Sequence, residues 1–177
     1  IDAKHALQFI RSNATEWKID KNRIGLFGGS AGAQITMWLA FSNDMSNADS
    51  ENPIERESTR VTCAAPIAGQ TTMDIEFWTE LFEKHLKDPN GSDYVANIFG
   101  DNTKREKNRL SMYGAKTLEE ANNIANDLSA LSLISADDPP IFMQYGMMPN
   151  AAAPSKDNPK KLRGWVVHHV DFGLALK

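Results

Sequence analysis

Apolar residues recur at intervals of three and four over the first 17 positions of the chain. The recurring positions are Ala3, Ala6, Leu7, Ile10, Ala14 and Trp17. This spacing predicts an amphipathic helix with one buried stripe, and Asp2 stands where an N-cap or first-turn acid belongs. The polar stretch KIDKNR then predicts a turn that ends the helix.

Three short apolar runs predict strands of one parallel sheet. They read RIGLFG at residues 23–28, VTCAAPIAG at 61–69 and DDPPIFMQYG at 137–146. The second run lacks alternation and predicts a strand that is buried on both faces. In the third run, Pro139 and Pro140 stand at the entry, where a missing N–H group does least harm.

Longer polar and helical segments separate these strands. Residues 42–60 predict an exposed loop, residues 74–130 predict helices without a strand, and residues 147–167 predict a second loop before a closing helix begins in HHVDFGLALK. The alternation of strands and helices predicts one α/β domain over residues 1–177, a three-layer α/β/α sandwich with a mostly parallel sheet. The 74–130 insertion is expected to form a cap over the carboxyl edge of that sheet.

Composition narrows the class of protein. The chain has 177 residues, of which 41% are hydrophobic and 24% charged, values that are typical of a globular domain. The net charge of −4 gives no reason to expect a nucleic acid as partner, and no apolar run reaches the roughly 18 residues of a membrane span. The single cysteine, Cys63, excludes an internal disulfide and a cysteine-based zinc site, and its apolar neighbours predict a buried, unreactive thiol. We expect no metal and no cofactor.

The candidate chemistry lies between the first strand and the helical stretch AQITMWLAF. Residues Gly28, Gly29, Ser30, Ala31 and Gly32 match the pattern G-x-S-x-G. In a strand-to-helix turn of this kind the serine projects from a strained backbone, and small residues on both sides let the strand and the helix approach. The helix would direct its N-terminus at the reaction centre, with the Ala31 N–H group as an oxyanion donor. Ser30 is therefore the candidate nucleophile, and the alternative is a structural turn of small residues.

Two other glycine motifs do not fit these residues. A dinucleotide fingerprint that starts at Gly28 would need glycine at positions 30 and 33, where the chain has Ser30 and Ala33. A phosphate-binding P-loop would need Gly-Lys followed by Ser or Thr, and no lysine follows these glycines. The pattern thus favours nucleophilic chemistry over nucleotide binding.

The stretch DAKHALQFIRSNATEWKID followed by RIGLFGGSAGA resembles the α/β-hydrolase fold, in the esterase and lipase branch that includes acetyl esterases and carboxylesterases. SADDPPIFMQYG is similar to the strand that precedes the acid loop of that family, and NPIERESTRVTCAAPIAGQTT is similar to the segment after the elbow helix. The resemblance implies a serine hydrolase that cleaves a small-molecule carboxylic ester through an acyl-enzyme on Ser30.

Chain order in that family is serine, then an acid, then a histidine, with a glycine-rich oxyanion loop upstream of the serine. By this order Asp157, the first acid after MQYG, is the candidate acid, and His169 with its neighbour His168 is the candidate base. Asp137 and Asp138 precede the strand, where they are expected to cap or tether its start. The two histidines also fit helix-cap or loop positions.

The flanks of the motif depart from the family pattern. Only 29 residues precede Ser30, and nothing like His-Gly-Gly-Gly stands among them. His5 lies on the first helix and His85 in the helical insertion, so both are expected on the surface. From these departures we expect a hydrolase domain that is incomplete at both ends. No histidine of the chain is then expected beside Ser30, and His168 and His169 are expected at the start of the closing helix.

Two other functions stay open. A serine peptidase of the oligopeptidase branch shares the motif and the triad order, and it would carry a propeller domain upstream. A catalytically silent hydrolase-fold protein used for binding is favoured by the missing acid directly after MQYG, whereas the intact motif around Ser30 favours an enzyme. Labelling by a fluorophosphonate needs an activated serine, so it distinguishes a serine hydrolase of either kind from the silent binding protein.

Overall fold

The structure is a computed structural model, and it describes residues 2–74, 77–78, 105–155 and 158–176. The chain divides into two compact units. The first unit contains residues 1–69 and 133–144, and the second contains residues 70–132 and 145–177. Much of the insertion for which the sequence predicts a helical cap lies outside the described residues, so the cap stays a prediction.

The first unit begins with two short helices, α1 (Asp2–Ser12) and α2 (Ala14–Trp17). Between them the side-chain amide of Asn13 donates to the carbonyl oxygen of Phe9 at 2.8 Å. Lys18 ends α2 in a left-handed conformation with φ 56° and ψ 38°. The predicted helix is therefore interrupted only at Asn13, where the backbone N–H still donates to the Phe9 carbonyl oxygen at 3.1 Å.

Burial along these helices agrees with the predicted stripe only in part. Leu7 and Ala14 are buried as predicted, whereas Trp17 is 45% exposed. The Trp17 ring packs edge-on against Phe9, with 5.7 Å between ring centroids. Gln8 is fully buried, and its side-chain amide donates to the backbone carbonyl oxygens of Glu55 and Glu57 in the 42–60 segment. A polar side chain that is bonded through its amide nitrogen, and whose Oε1 has no partner among the described residues, thus takes a place where the pattern predicts only apolar ones.

The sheet has three parallel members in the order in which they occur in the chain. Strand β1 (Gly25–Gly29) pairs with β2 (Cys63–Ile67) in parallel. Residues 141–144 join the other side of β2 through two isolated parallel bridges. The Phe142 N–H group donates to the carbonyl oxygen of Ala64 at 2.9 Å. The structure thus confirms the first two predicted strands and their parallel sense, whereas the third run joins the sheet only through isolated parallel bridges and forms no continuous strand.

Helix α3 (Ala31–Phe41) follows β1 and packs on one face of this sheet. Its Ala33 and Met37 side chains are fully buried. A Cβ atom at Gly69, just beyond β2, would lie 2.7 Å from Met37 Cε and 2.8 Å from Ala33 Cβ. Glycine at this position therefore allows the close approach of α3 to the carboxyl end of β2.

The opposite face of the sheet carries exposed apolar side chains. Phe27 is 74% exposed and Phe142 is 67% exposed, and Cys63 is also exposed. The predictions that β2 is buried on both faces and that Cys63 is buried are therefore wrong. The reason is that side chains alternate across a strand, so a single helix layer buries only alternate residues such as Ala64 and Pro66.

The 42–60 segment is a structured loop with one 3₁₀ turn at Pro53–Arg56. Oδ1 of Asp44 accepts hydrogen bonds from the Thr59 N–H at 2.9 Å and from the Ser46 N–H at 3.1 Å. Thr59 is buried, and its Oγ1 accepts from the Met45 N–H at 2.8 Å. The prediction of an exposed loop holds for most of the segment, and Thr59 is buried because these side-chain bonds satisfy the backbone there.

The described helices that follow β2 in the chain are short. They are α4 (Arg105–Tyr113), α5 (Leu118–Asp127), α6 (Ala130–Leu133), α7 (Pro159–Val167) and α8 (Asp171–Leu174). The range predicted as a second loop contains α7, which begins where the Asn158 side chain accepts from the Lys161 N–H at 3.1 Å. None of the helices in the described ranges is long and apolar enough to cross a membrane.

An aromatic cluster forms the core of the second unit. Its buried members are Trp78, Leu162, Trp165, Val166 and Phe172. The rings of Trp78 and Phe172 lie 4.8 Å apart between centroids. Residues from α7 and α8 thus pack around the side chain of Trp78, which is far from them in the sequence.

Candidate active site

Ser30 occupies the single residue between β1 and α3. Its backbone has φ 55° and ψ −120°, a conformation that residues with a side chain seldom adopt. The Ser30 N–H group donates to the carbonyl oxygen of Ile67 at 3.0 Å, and the Ser30 carbonyl accepts from Ala33 and Gln34 at 3.0 and 3.1 Å. These bonds hold the turn from both sides and sustain a backbone conformation that costs on the order of 1–3 kcal/mol.

Of the glycines around Ser30, Gly28 is the one whose position has no room for a side chain. A Cβ atom there would lie 2.3 Å from Gly32 O and 2.9 Å from Thr36 Oγ1. A Cβ atom at Gly32 would have no heavy atom within 4 Å, and one at Gly29 would only reach Ile67 O at 4.0 Å. The predicted close approach is therefore made by the Gly32 backbone against Gly28, and Gly32 itself has room for a side chain.

The Ala31 N–H group begins α3 and has no backbone acceptor among the described residues. Ala31 is exposed, and Ser30 is half-buried. A free N–H group at a helix N-terminus carries partial positive charge and favours a negative oxygen beside it. The residue after Ser30 thus offers a hydrogen-bond donor to an oxyanion.

Within the described residues of the first unit, no hydrogen bond to Ser30 Oγ is formed. The histidine of this unit, His5, is exposed on α1, as predicted, and its Nε2 lies 3.6 Å from Glu55 Oε1. His5 thus contacts Glu55 on the surface of this unit.

His168 and His169 belong to the second unit, between α7 and α8. His168 ends α7, and its Nδ1 lies 3.5 Å from Gln70 Nε2. His169 is fully buried, and its Nδ1 accepts from the Asp171 N–H at 3.2 Å. The same Nδ1 lies 3.6 Å from Asp171 Oδ1, so the backbone N–H and the carboxylate of Asp171 both face this side of the ring. Both histidines lie just before the closing helix, as predicted.

Of the three aspartates considered in the sequence, the structure describes Asp137 and Asp138. Asp157 and His85 lie outside the described residues, so their predicted places stay predictions. Asp137 pairs with the Arg60 guanidinium at 2.9 Å, and the Asp138 carboxylate accepts from the Ser135 N–H at 2.7 Å. The hydrogen bond from the Ser135 hydroxyl, followed by the Arg60 charge, lowers the pKa of Asp137. Both acids tether the entry to the 141–144 segment, as predicted.

Sequence analysis did not single out Gln70 and Thr71. Gln70 Nε2 donates to the Val167 carbonyl oxygen at 2.5 Å, and Thr71 Oγ1 donates to the Phe172 carbonyl oxygen at 2.7 Å. Both side chains are buried. The signal that could have found them is a pair of polar residues directly after Gly69, the last residue of the apolar run VTCAAPIAG.

Ala68 was also missed. It follows β2 directly and has φ 51°, and with Lys18 and Ser30 it is one of the non-glycine residues at positive φ in the described chain. Its N–H group donates to the Gln144 carbonyl oxygen at 2.8 Å. No residue type in the run around Ala68 signals a positive φ, because alanine fits every regular element.

The second unit also contains a polar cavity of about 250 Å³. Its lining residues are Asp74, Arg109, Asn122, Ala125 and Asn126. Arg109 Nη2 hydrogen-bonds Asn122 Oδ1 and lies 3.9 Å from Asp74 Oδ1. These contacts tie α4 to α5 and to the segment that follows β2. Among the described residues, no group of His, Cys, Asp and Glu side chains is arranged to hold a metal ion.

Two solved structures of known proteins align with the chain. The chain aligns with the acetyl ester-xyloside bifunctional hydrolase from Caldicellulosiruptor lactoaceticus at 21% identity and a TM-score of 0.60, over 99% of the chain and 47% of that structure. It aligns with a truncated carbohydrate esterase from gut microbiota at 17% identity and a TM-score of 0.53, over 94% of the chain and 55% of that structure. The chain therefore spans about half the length of these structures. A search of curated proteins found no match.

The two alignments show a shared fold, and a family model supplies the closer relationship. The BD-FAE family model matches residues 1–156, which include all three members of the sheet, Ser30 and the segment of Gln70 and Thr71. The chain belongs to the BD-FAE family, with the α/β-hydrolase fold that the sequence resemblance implied.

Proposed function

We propose that the protein is a carboxylic ester hydrolase that forms an acyl-enzyme on Ser30. The observation that carries the proposal is the backbone of Ser30, at φ 55° between a parallel strand and a helix, next to the Ala31 N–H group, which has no acceptor among the described residues. This backbone conformation supports a nucleophile elbow, a strand-to-helix turn from which the serine hydroxyl projects. Strained residues of this kind cluster at functional sites.

The chemistry follows from this arrangement. Ser30 Oγ attacks the ester carbonyl carbon, its proton passes to a base, and the carbonyl oxygen becomes an oxyanion that accepts from Ala31 N–H. The bond to the alcohol oxygen then breaks, and the alcohol leaves with a proton. Water attacks the acyl-enzyme in the same way and releases the carboxylic acid. Loss of one such oxyanion donor typically costs about 10²–10³ in rate.

Chain order makes His169 the candidate base and Asp157 the candidate acid. The described contacts of His169 support a packing role, because the side chain is buried, its Nδ1 is bonded to Asp171 N–H and its ring lies 4.5 Å from that of Trp165. The proposal therefore rests on Ser30, and His169→Ala and Asp157→Ala test the other two roles. A triad member would lower kcat by about 10³-fold or more with little change in unfolding, whereas a packing residue would mainly lower stability.

The names of the two aligned structures support the choice of an ester over a peptide. One is called an acetyl ester hydrolase and the other a carbohydrate esterase. We propose a short acyl group on an alcohol as the substrate class.

The test is covalent labelling together with turnover. The full-length wild-type protein should react with a fluorophosphonate at Ser30 and hydrolyse p-nitrophenyl acetate, and Ser30→Ala in the same full-length protein should lose both, with the labelled peptide identified by mass spectrometry. Ser46→Ala removes an exposed hydroxyl from the same unit and should keep both. Turnover retained by Ser30→Ala would remove Ser30 from the mechanism. Wild-type protein that neither reacts nor hydrolyses would favour the silent binding protein.

A further inference from the structure

Two neighbouring strands end in the same unusual way. Ser30 directly follows β1 with φ 55°, and Ala68 directly follows β2 with φ 51°. The register pairs Gly29 with Ile67, so the next residues of the two strands, Ser30 and Ala68, are neighbours at the carboxyl edge. The Ser30 N–H to Ile67 carbonyl bond of 3.0 Å extends the ladder to that point. Adjacent strands lie about 4.8 Å apart, which brings the two residues side by side.

Backbone pairing alone does not explain an alanine at this position. Glycine adopts positive φ without the steric cost that a Cβ atom brings. Ala68 N–H is bonded to the Gln144 carbonyl oxygen, so this group holds the 141–144 segment and would do so equally in a glycine. The methyl group of Ala68 is what distinguishes the residue, and the residue is half-buried.

We infer that the Ala68 methyl group limits the size of the acyl group that an ester can place on Ser30. The inference rests on the proposed acyl-enzyme, whose acyl group on Ser30 would lie beyond the carboxyl ends of β1 and β2. Within the described sheet, β2 is the strand next to β1, and Ala68 is the first residue beyond its end. Ligands of open parallel sheets bind beyond these carboxyl ends.

Two substitutions change the size of this side chain in opposite directions. Ala68→Gly removes the methyl group and relieves the backbone, and Ala68→Asn adds bulk with the residue that tolerates positive φ best after glycine. The ratio of kcat/KM for p-nitrophenyl butyrate to that for the acetate should rise about fourfold in Ala68→Gly, the value of one buried methylene group. The same ratio should fall by about fourfold or more in Ala68→Asn.

Lys18 offers a matched control, because it has φ 56° and lies at the end of α2. Lys18→Gly relieves the same kind of backbone strain and should raise the urea midpoint, as Ala68→Gly does, without changing the butyrate-to-acetate ratio. If Ala68→Gly raises the urea midpoint but leaves the ratio within twofold of wild type, Ala68 has only a structural role and the inference is overturned. This variant decides the question even if Ala68→Asn does not fold.

Failure of the proposed function is seen separately, in wild-type protein and Ser30→Ala. A wild-type protein that no fluorophosphonate labels overturns the acyl-enzyme and the inference with it. A wild-type protein that is labelled but turns over slowly still tests Ala68, through the labelling rates of fluorophosphonates with short and long alkyl chains. Ala68→Gly should then accelerate the long probe relative to the short one, and equal rates would overturn the inference.

Discussion

The backbone of Gly32, in the first turn of α3, lies directly against Gly28 near the end of β1. A Cβ atom at Gly28 would lie 2.3 Å from the Gly32 carbonyl oxygen and 2.5 Å from its carbon. Real Cβ atoms do not approach backbone atoms so closely, and neither element can move away without opening the turn at Ser30. The contact between these two glycines therefore sets how the strand meets the helix.

Gly28→Ala should destabilise the protein and lower any activity that depends on Ser30. The added methyl group overlaps backbone atoms, and overpacking of this kind typically costs about 1–3 kcal/mol of unfolding free energy. Gly32→Ala is the matched control, since a Cβ atom there meets no heavy atom within 4 Å. Alanine in a helix should leave the unfolding free energy unchanged or raise it by up to about 1 kcal/mol. Equal urea midpoints for the two variants would contradict this account of the turn.

Asp44 should make stability depend on pH under acidic conditions. Partial burial raises its pKa, but hydrogen bonds from the Thr59 N–H, the Ser58 hydroxyl and the Ser46 N–H outweigh burial and lower the pKa below its ordinary value of 3.8. The folded pKa is depressed, so this stabilisation is present above pH 3.8 and is lost as the pH falls through the lower folded value.

Asp44→Asn should remove that acid-dependent component and lower the free energy of unfolding at pH 7 by about 1 kcal/mol. Hydrogen bonds to a charged carboxylate are stronger than those to a neutral amide, and the solvent exposure of Asp44 reduces the difference. Asp49→Asn, in the same loop, is the control and should follow the wild-type acid profile. Thermal unfolding between pH 2 and pH 7 measures both. Parallel profiles for wild type and Asp44→Asn would show that these bonds do not depend on the charge.

Tyr145 should titrate far above an ordinary phenol. Burial raises its pKa to about 12. The phenol of Tyr145 ionises near pH 10 in the unfolded chain and only near pH 12 in the folded one. The stability that the neutral phenol contributes is therefore present below pH 10 and is lost as the pH rises from 10 to about 12. The absorbance at 295 nm of wild type minus Tyr145→Phe should give a midpoint near 12. A midpoint near 10 would show that the ring is open to solvent.

Thr71 should be one of the residues that hold α8 in the second unit. Thr71→Val keeps the shape of the buried side chain but leaves the Phe172 carbonyl oxygen without its 2.7 Å partner, which typically costs about 1–3 kcal/mol. Thr71→Ser keeps the hydroxyl and loses only a methyl group, so it should be the more stable of the two. Urea unfolding followed by Trp fluorescence compares them, and a Val variant as stable as the Ser variant would exclude this bond as a stabilising contact.

Local pattern was sufficient for the elements around the candidate site. The run before Ser30 predicted β1, the stretch after it predicted α3, and the apolar runs at 61–69 and 137–146 predicted the other two members of the sheet. These predictions hold because the periodicity of buried residues reports the local conformation directly. The same approach failed for α7, although Asn158 followed by Pro159 is an N-cap signal that could have placed its start.

Side-chain hydrogen bonds over longer distances defeated other predictions. The loop at 42–60 reads as exposed because its composition is polar, yet Thr59 is buried. Asp44 and Thr59 are 15 residues apart, and nothing in either residue type announces that they will bond. Polar residues are buried when such partners satisfy them, and the partners are known only once the chain has folded.

The sequence by itself determined that Ser30 stands between a strand and a helix, because that place follows from residues within about one turn on either side. Only the tertiary structure decided that Cys63 is exposed and that Ala68 stands beside Ser30. Both depend on which face of the sheet a helix covers and on a register between strands that are more than 30 positions apart in the chain. Alternation along a strand assigns residues to two faces, but packing against another part of the chain decides which face is buried.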